Sequence, residues 1–269
     1  MKKYFLSSNI STLNISPEKI DAYRTAVVHE MRKMGATNQE ESLLCQETIL
    51  NSLQRNRKPE DVTISEELKR AFKERNIECF EIREASPEEF HDAIGRAKIS
   101  NEHGAFVTQH SVEDYSQMQH LFLTTDGSAG VAITSDGNIV SIFNGGEKRG
   151  VLKTLLPLAI EHGGRKLDNY DSEKLSAMYE LYGFNPVSNV EFNLKFAPDD
   201  WNFERDGTPD IVFWIHNGDT AEDVIINFGR YLVSWETVKS FATYEEAGEY
   251  RDKLIEKIDA EDEDEMPVC

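Results

Sequence analysis

The feature that most constrains the fold is an alternation of apolar segments and glycine breaks between Ile139 and Phe196. Residues 139–143 form a short apolar run rich in β-branched side chains, which predicts a buried strand. The next segment, residues 144–150, is a loop that contains three glycines and two cations. An apolar helical segment follows from Val151 to His162 and stops at a Gly-Gly pair, where a helix C-terminus favours glycine. A strand, a loop and a helix are therefore predicted in direct succession.

The same alternation continues along the chain. Arg165 to Tyr170 predicts a second strand, and the helix after it can be capped by Asp171 or Ser172. That helix ends at Gly183 and places four apolar or aromatic side chains on one face: Leu175, Met178, Tyr179 and Tyr182. Residues 184–186 predict a turn into a third strand, Val187 to Phe196. The result is an α/β unit whose glycine-rich loop can receive a phosphate group.

The flanking segments place this unit inside a longer α/β domain. The predicted organisation is a helical N-terminal unit (1–76), an α/β domain (77–216), a C-terminal helical arm (217–258) and a solvated acidic tail (259–269). The α/β domain is predicted to begin with a strand, Ile77 to Arg83, and two helices. Three strands joined by Asp-Gly turns then lead into the unit described above. The last strand of the domain is predicted from Asp210 to His216.

Composition narrows the classes of partner. The chain carries 49 acidic and 29 basic residues, a formal net charge of -20, which argues against binding to nucleic acid or to anionic membranes. The same charge suits a basic protein partner or a cationic substrate. Three scattered cysteines predict neither a disulfide framework nor a metal site. Without a signal-like or membrane-spanning apolar run, the sequence predicts a soluble, cytoplasmic protein.

Two motifs in this α/β unit resemble those of the GNAT N-acetyltransferase superfamily. In that family a strand is followed by a (Q/R)-x-x-G-x-(G/A) loop that holds the pyrophosphate of coenzyme A. A later helix carries a tyrosine just ahead of a closing Gly-Phe. The corresponding segments here are Glu147-Lys148-Arg149-Gly150-Val151-Leu152 and Tyr179-Glu180-Leu181-Tyr182-Gly183-Phe184. The second motif matches, whereas Glu147 and Leu152 depart from the loop pattern.

A longer set of segments is similar to GNAT-like domains in proteins of phages and other bacterial mobile elements. These segments are Lys166 to Tyr170, Glu191 to Asn193, and Ala197-Pro198 followed by Trp201. The predicted order of elements over residues 77–216 is also that of the family. The resemblance therefore implies a GNAT-like mixed sheet with flanking helices, in a protein of bacterial or phage origin.

The resemblance implies acetyl-CoA as cofactor and assigns the residues that would hold it. These are Ile142, Phe143, Gly145, Gly146, Lys148, Arg149, Gly150 and Val151. Backbone N–H groups at the start of a helix suit a pyrophosphate, and two cations add charge. An ordinary strand–helix turn is the competing interpretation of the same loop. Pro157, inside the helix, predicts a kink or a late helix start.

Tyr179 stands where the family places a general acid toward the sulfur of coenzyme A. The competing interpretation is that its ring only packs. The sequence assigns no general base, and four residues stay open for that role: Glu102, His103, His110 and Asp168.

Two functions follow from these predictions. One is an acyl-CoA-dependent N-acyltransferase acting on an amine of a protein or small molecule. The other is a non-catalytic GNAT-fold module that binds a protein partner. The departures at Glu147 and Leu152 favour the second function, and the matching tyrosine motif favours the first.

Overall fold

A computed structural model describes Val62 and residues 64–265, with side chains as far as Glu261. The chain divides into two compact units, residues 1–58 and 59–269, and every described residue lies in the second. Most of the predicted helical N-terminal unit therefore lies outside the described residues. Its last part, residues 64–76, is described and belongs to the same compact unit as the sheets.

The described residues form a mixed α/β fold with eight helices and two four-stranded sheets. The helices are α1 (Glu66–Glu74), α2 (Pro87–Ser100), α3 (Val112–Gln117), α4 (Leu152–Glu161), α5 (Glu173–Leu181), α6 (Phe203–Asp206), α7 (Ala221–Ile226) and α8 (Tyr244–Glu265). The strands are β1 (Ile82–Glu84), β2 (His120–Thr124), β3 (Ala129–Ile133), β4 (Ile139–Asn144), β5 (Lys166–Tyr170), β6 (Phe184–Val190), β7 (Ile211–His216) and β8 (Lys239–Phe241). Two 3-10 helices cover Gly104–Phe106 and Leu194–Phe196. From β1 to β7 the order of strands and longer helices is the predicted one.

The two sheets are built differently. The first is an antiparallel meander in the order β1-β2-β3-β4, with Asp-Gly turns before β3 and β4. The second has the order β5-β7-β6-β8, so that β7 lies between two strands that precede it in the chain. β7 is antiparallel to both neighbours, and β8 adds to β6 in parallel.

Helices cover both faces of the sheets. One face carries the main apolar core, which runs under both sheets and is closed by α1, α4, α5 and α7. On the opposite face, α2 and α3 enclose a smaller core against the first sheet. Over the second sheet, α8 buries Ala247 against Phe213 and Val190 on that opposite face. Burial of such side chains supplies the main stabilisation, about 1.5–3 kcal/mol for each large one.

Local capping explains where several helices begin. The Ser86 hydroxyl accepts a hydrogen bond from the Glu89 N–H while the Glu89 carboxylate accepts one from the Ser86 N–H, so a capping box opens α2. Ser172, rather than Asp171, caps α5 by accepting from the Leu175 N–H. The inward face of α1 consists of Leu68, Ala71 and Phe72, which are buried.

Two strand predictions are wrong in their bounds. The strand predicted from Ile77 is only β1, because the Phe80 N–H donates to the Thr154 hydroxyl of α4 instead of to a strand. The turn predicted at residues 184–186 is the first part of β6. Pro186 fits there because its nitrogen faces away from β7, and β8 begins to pair only at Ser188.

The last helix extends into the acidic segment at the C-terminal end of the described residues. α8 continues to Glu265, into the segment expected to be a solvated tail. Asp259 accepts two hydrogen bonds from Arg165, at 2.6 and 3.1 Å. Among the described residues, no helix is long and apolar enough to cross a membrane.

Candidate active site

The two sheets meet at a point where neighbouring parallel strands separate. A single bridge, between Asn138 and Lys166, joins the start of β4 to the start of β5. Both strands lie wholly in the described part of the chain, and no further pairing joins them there. We call the gap between residues 140–144 of β4 and 167–170 of β5 the opening. It lies at the carboxyl ends of parallel strands, where ligands bind in α/β sheets.

Both edges of the opening carry backbone groups without a strand partner. The His216 N–H donates to the Arg165 carbonyl, so the alternation along β5 directs the backbone groups of Asp168 toward β4. On the other edge, the Gly145 N–H donates to Ser128, and the same alternation directs Asn144 toward β5. The Asn144 carbonyl accepts a hydrogen bond from the Asn101 side chain at 3.4 Å, which leaves the Asn144 N–H without a strand partner among the described residues. Edges of this kind accept an extended chain that carries amide groups.

A β-bulge in β4 shapes one wall of the opening. Two residues, Ser141 and Ile142, stand opposite Val131 alone, and Ser141 has a positive φ of 53°. The Ser141 hydroxyl donates to the Thr108 carbonyl at 3.1 Å and lies 3.0 Å from the Tyr115 hydroxyl. The bulge therefore ties β4 to the segment between α2 and α3.

The predicted cofactor residues Ile142 and Phe143 turn to opposite faces. Ile142 packs against the main core, whereas Phe143 is buried under α2 with its ring 5.7 Å from Phe90. Since both side chains serve packing, these two residues can offer a ligand mainly their backbone.

The first two glycines of the predicted phosphate loop are held against the protein. A Cβ atom at Gly145 would lie 2.7 Å from the Cα of Ala97, and one at Gly146 would lie 2.8 Å from the Ser128 hydroxyl oxygen. Their N–H groups donate to Ser128 and to the Asn144 side chain. These glycines permit close packing of the loop rather than a ligand contact.

The second half of the loop, from Glu147 to Gly150, is not packed against the protein in this way. Gly150 has φ +86° and no atom within 4 Å of the position of a Cβ, so it faces open space. No described residue accepts a hydrogen bond from the N–H groups of residues 147–152, and α4 has no side-chain cap. The unpaired donors and the helix dipole together make this end of α4 suited to an anion.

Two cations flank these donors. The Lys148 ammonium lies 5.7 Å from the centre of the Phe80 ring, while no described residue forms an ion pair with Arg149. Val151 is buried at the start of α4. Among the predicted cofactor residues, Lys148, Arg149 and Gly150 are exposed, and Val151 follows them at the end of the loop. These four residues form one group, which is separate from Gly145 and Gly146.

Tyr179 lies on the main-core side of the opening. It is 5% exposed, and its ring lies 6.1 Å from Phe184 and 5.9 Å from Trp214. Burial, and then the charge of Asp168, raise the pKa of the Tyr179 phenol, so it stays protonated. The Tyr179 hydroxyl can therefore act as a hydrogen-bond donor, and its role in catalysis stays a prediction.

Asp168 lies on the other side, on the face covered by α8. Burial raises the pKa of its carboxyl group, whereas the charge of Arg251, a hydrogen bond with Tyr244 and the charge of His110 act in the opposite direction. Part of the residue's surface remains accessible. The charge of Asp168 also raises the pKa of Tyr179, whose side chain lies on the opposite face of the sheet.

The buried cations near Asp168 are bound to other groups. The Lys166 ammonium forms ion pairs with Asp136 at 2.7 Å and Asp252 at 3.0 Å. The Arg251 guanidinium donates to Asp252, to the Asn138 side chain and to the Leu167 carbonyl. These bonds fasten α8 to the junction of the two sheets.

The other candidate bases lie apart from the opening or have partners. Glu102 and His103 are exposed and form an ion pair with each other at 3.7 Å, and His103 also contacts Asp206 at 3.3 Å. The His110 ring lies against Tyr115, with the ring centres 5.7 Å apart. The structure thus brings Asp168 and His110 near one another and leaves Glu102 and His103 outside. Among the described residues, no cluster suited to a metal ion is present.

An aromatic cluster closes the far end of β5. Tyr170 lies 4.7 Å from Trp201, 5.6 Å from Phe106 and 6.0 Å from Phe192, measured between ring centres. The Trp201 indole N–H donates to the Gly207 carbonyl. The cluster joins the segment between α2 and α3 to the segment between β6 and β7.

Sequence reasoning missed Tyr244 and Arg251 as neighbours of this site. Thr243 to Glu246 has the pattern of a helix start, and the Glu246 N–H does donate to the Thr243 hydroxyl. Nothing in that pattern relates α8 to β5, because the contact depends on how α8 crosses the second sheet.

Comparisons of the chain with protein-family models, with curated proteins and with solved structures find no match.

Proposed function

We propose that the chain is an acyl-CoA-dependent N-acyltransferase of the GNAT type, with acetyl-CoA as donor and an amine as acceptor. The observations that carry this proposal are the opening between β4 and β5 and the unpaired N–H groups at the start of α4, the helix that follows β4. Support also comes from the order of elements between β1 and β7, which is the order that the resemblance implied.

The residues present fit a coenzyme A phosphate group. The unpaired donors at residues 149–152, the open space at Gly150 and the Arg149 cation would hold the pyrophosphate at the N-terminus of α4. The departures from the family loop leave this arrangement intact. Glu147 is exposed, and the backbone of Leu152 still presents an unpaired N–H.

The strand edges fit the pantetheine arm, which is an extended chain with two amide groups. Asp168 on β5 and Asn144 on β4 present backbone groups toward the opening. An amide-bearing chain placed between them would complete hydrogen bonds that the two strands do not make with each other.

When bound, acetyl-CoA supplies an activated acyl group as a thioester. A thiol with a pKa of about 8.5 leaves readily near neutral pH, so the sulfur needs a hydrogen bond more than a full proton. The Tyr179 phenol, kept protonated by burial, is suited to that role. The chain's contribution would then be to orient the thioester, exclude water and position the amine.

The experiment is calorimetric titration of the full chain with acetyl-CoA, on wild type and on Gly150→Glu. A carboxylate at Gly150 would oppose the phosphates in the space that a side chain can fill. We expect binding by wild type and a loss of about 10- to 100-fold in the variant, the value of one charged hydrogen bond or two. Absence of binding by folded wild-type protein at millimolar acetyl-CoA would refute the proposal.

Gly163→Glu is the matched control. Gly163 stands at the other end of α4, has φ +88° and likewise has no atom within 4 Å of a Cβ position. Both substitutions place the same side chain on the same backbone conformation, so both have a similar conformational cost. Equal loss of binding in the two variants would show an effect on the fold rather than on a phosphate site.

A second candidate function has its own support. Leu194 and Phe196 are 67% and 79% exposed on one 3-10 helix, and exposed apolar groups of this kind mark protein contacts. This observation favours the protein-interaction module predicted as the alternative. Acetyl-CoA binding separates the two functions, because only the acyltransferase requires it.

A further inference from the structure

Asp168 is distinguished by its position at the opening. Its backbone groups face β4, and its side chain lies on the α8 face, opposite Phe213 in the β5–β7 register. The Tyr244 ring lies 4.9 Å from Phe213 on the same face, and the Tyr244 hydroxyl acts to lower the pKa of the Asp168 carboxyl group. The carboxylate therefore lies beside the path between the two strands.

The Asp168 carboxylate has no ion-pair partner among the described residues. Arg251 is the nearest cation, but its N–H groups are directed at Asp252, Asn138 and Leu167. A carboxylate taken from water without a bound cation is costly, and the cost is offset when a ligand supplies the cation. An ammonium group is such a ligand.

We infer that Asp168 receives the ammonium group of the acceptor and acts as the base that removes its proton, an assignment that rests on the acyltransferase function proposed above. The Tyr244 hydroxyl, from α8, is a positioning residue that orients the carboxylate. This assignment selects one of the four bases that the sequence left open.

The surroundings of Asp168 suit this chemistry. His110 and Tyr170 approach from the α2–α3 segment and from β5, Tyr244 and Arg251 from α8, and Tyr179 from α5. Burial raises the pKa of the Asp168 carboxyl group, which makes it a better proton acceptor near neutral pH than an exposed aspartate.

The reaction balances with the groups named. A proton moves from the ammonium nitrogen to an Asp168 oxygen, and the freed lone pair forms the C–N bond to the thioester carbonyl carbon. The C–S bond breaks and its electron pair stays on sulfur. A second N–H proton passes through water to the thiolate, and Asp168 returns its own proton to water. The products are an amide, the free thiol and one proton.

The test compares two acceptors in wild type and Asp168→Asn. One is a panel of primary amines: spermidine, agmatine and a lysine-containing peptide. The other is hydroxylamine, whose nitrogen is unprotonated at neutral pH and needs no base. We expect kcat/KM for the best primary amine to fall about 10²- to 10⁴-fold in Asp168→Asn, with little change for hydroxylamine.

The pH profile gives a readout that a structural role would not change. In wild type, kcat/KM for the amine should be level around neutral pH, because the ammonium is the bound form and Asp168 removes its proton. In Asp168→Asn only the free amine reacts, so the rate should rise about tenfold per pH unit toward the amine pKa of about 10.4. Tyr244→Phe, which keeps the ring against Phe213, should lower the rate less than Asp168→Asn.

Asp171→Asn is the control for loss of a carboxylate near the end of the same strand. Asp171 accepts a hydrogen bond from the Ser176 hydroxyl at 2.7 Å, and an amide oxygen can replace it there. This variant should keep the wild-type profile with both acceptors.

Several results would overturn the assignment. These are equal loss with both acceptors, an unchanged profile in Asp168→Asn, or transfer by wild type to hydroxylamine alone or to neither acceptor. In each of these cases acetyl-CoA binding by wild type would still stand. If wild type does not bind acetyl-CoA, the proposed function fails first and the assignment fails with it.

Discussion

The two sides of the opening differ in how they are held together. On the main-core side, Tyr179, Phe184 and Trp214 meet through ring contacts, with few polar partners. On the α8 side, Lys166 and Arg251 are buried but fully engaged with carboxylates and backbone carbonyls. The first arrangement gains stability from area removed from water, and the second gains little net stability but fixes geometry. A catalytic group that must gain and lose a proton needs the fixed geometry of the second arrangement.

The largest effect should come from removing a ring on the main-core side. Trp214 is fully buried on the central strand β7, and its indole N–H donates to Asn169. Trp214→Ala should lower the free energy of unfolding by about 3–5 kcal/mol, because it leaves a cavity next to Tyr179. Urea unfolding measures this value.

Trp235→Ala is the comparison for that substitution. Trp235 is 40% exposed and meets Trp214 edge-on at 5.4 Å. Its removal should cost clearly less than the removal of Trp214. Equal costs would mean that the main-core side does not depend on buried area as described.

The next largest effect should be a dependence of stability on pH, caused by His216 on the main-core side. His216 packs against Phe184, its Nδ1 accepts a hydrogen bond from the Gly218 N–H, and burial lowers its pKa from 6.5 to about 4. Since the folded state favours the neutral ring, His216 contributes stability above pH 6.5, and that contribution is lost as the pH falls toward 4. The loss should reach about 3 kcal/mol, from 1.36 kcal/mol per pKa unit.

Urea unfolding between pH 7 and 4 tests this, with His216→Asn as the non-titrating control. The variant should show a flatter stability profile in that range. Asp126, whose pKa is lowered to about 2 by hydrogen bonds from Thr124 and Ser128, affects stability only below pH 3.8 and does not interfere. Parallel profiles for wild type and variant would contradict the prediction.

The smallest effect should come from an ion pair at the outer end of α8. Arg165 and Asp259 are both partly exposed, at 39% and 50% of their side-chain surfaces, although two hydrogen bonds join them. Arg165→Ala should cost no more than about 1 kcal/mol, since solvent and salt screen the pair. A double-mutant cycle with Asp259→Ala isolates the pair, and a coupling well above 1 kcal/mol would make this contact part of the structural network around Arg251.

Much of the fold was predictable because its signals are local. The two Asp-Gly turns and the inward face of α5 depend on residues a few positions apart, and both were predicted. The bounds of β1 and β6 were not predictable, because they depend on Thr154 of α4 and on the late strand β8. Those partners are remote in the chain, so tertiary contacts decided the outcome.

The candidate site also has parts that could be predicted from local sequence and parts that could not. The loop from Lys148 to Val151 could be found from its glycine and its position before an apolar helix. By contrast, the sequence treated Gly145, Gly146 and Gly150 alike, although only Gly150 faces open space. The neighbours of Asp168 could not be found, because Tyr244 and Arg251 reach it only when α8 lies over the second sheet.

The placement of β7 has a consequence for chain synthesis. Each strand of the first sheet can pair with its predecessor as soon as it emerges, since the order there is β1-β2-β3-β4. A nascent chain that has emerged only as far as Gly207 contains β5 and β6 but lacks the strand that separates and joins them. β5 and β6 can form hydrogen bonds with a strand between them only after residues 211–216 have emerged. The second sheet therefore forms from its middle strand outward.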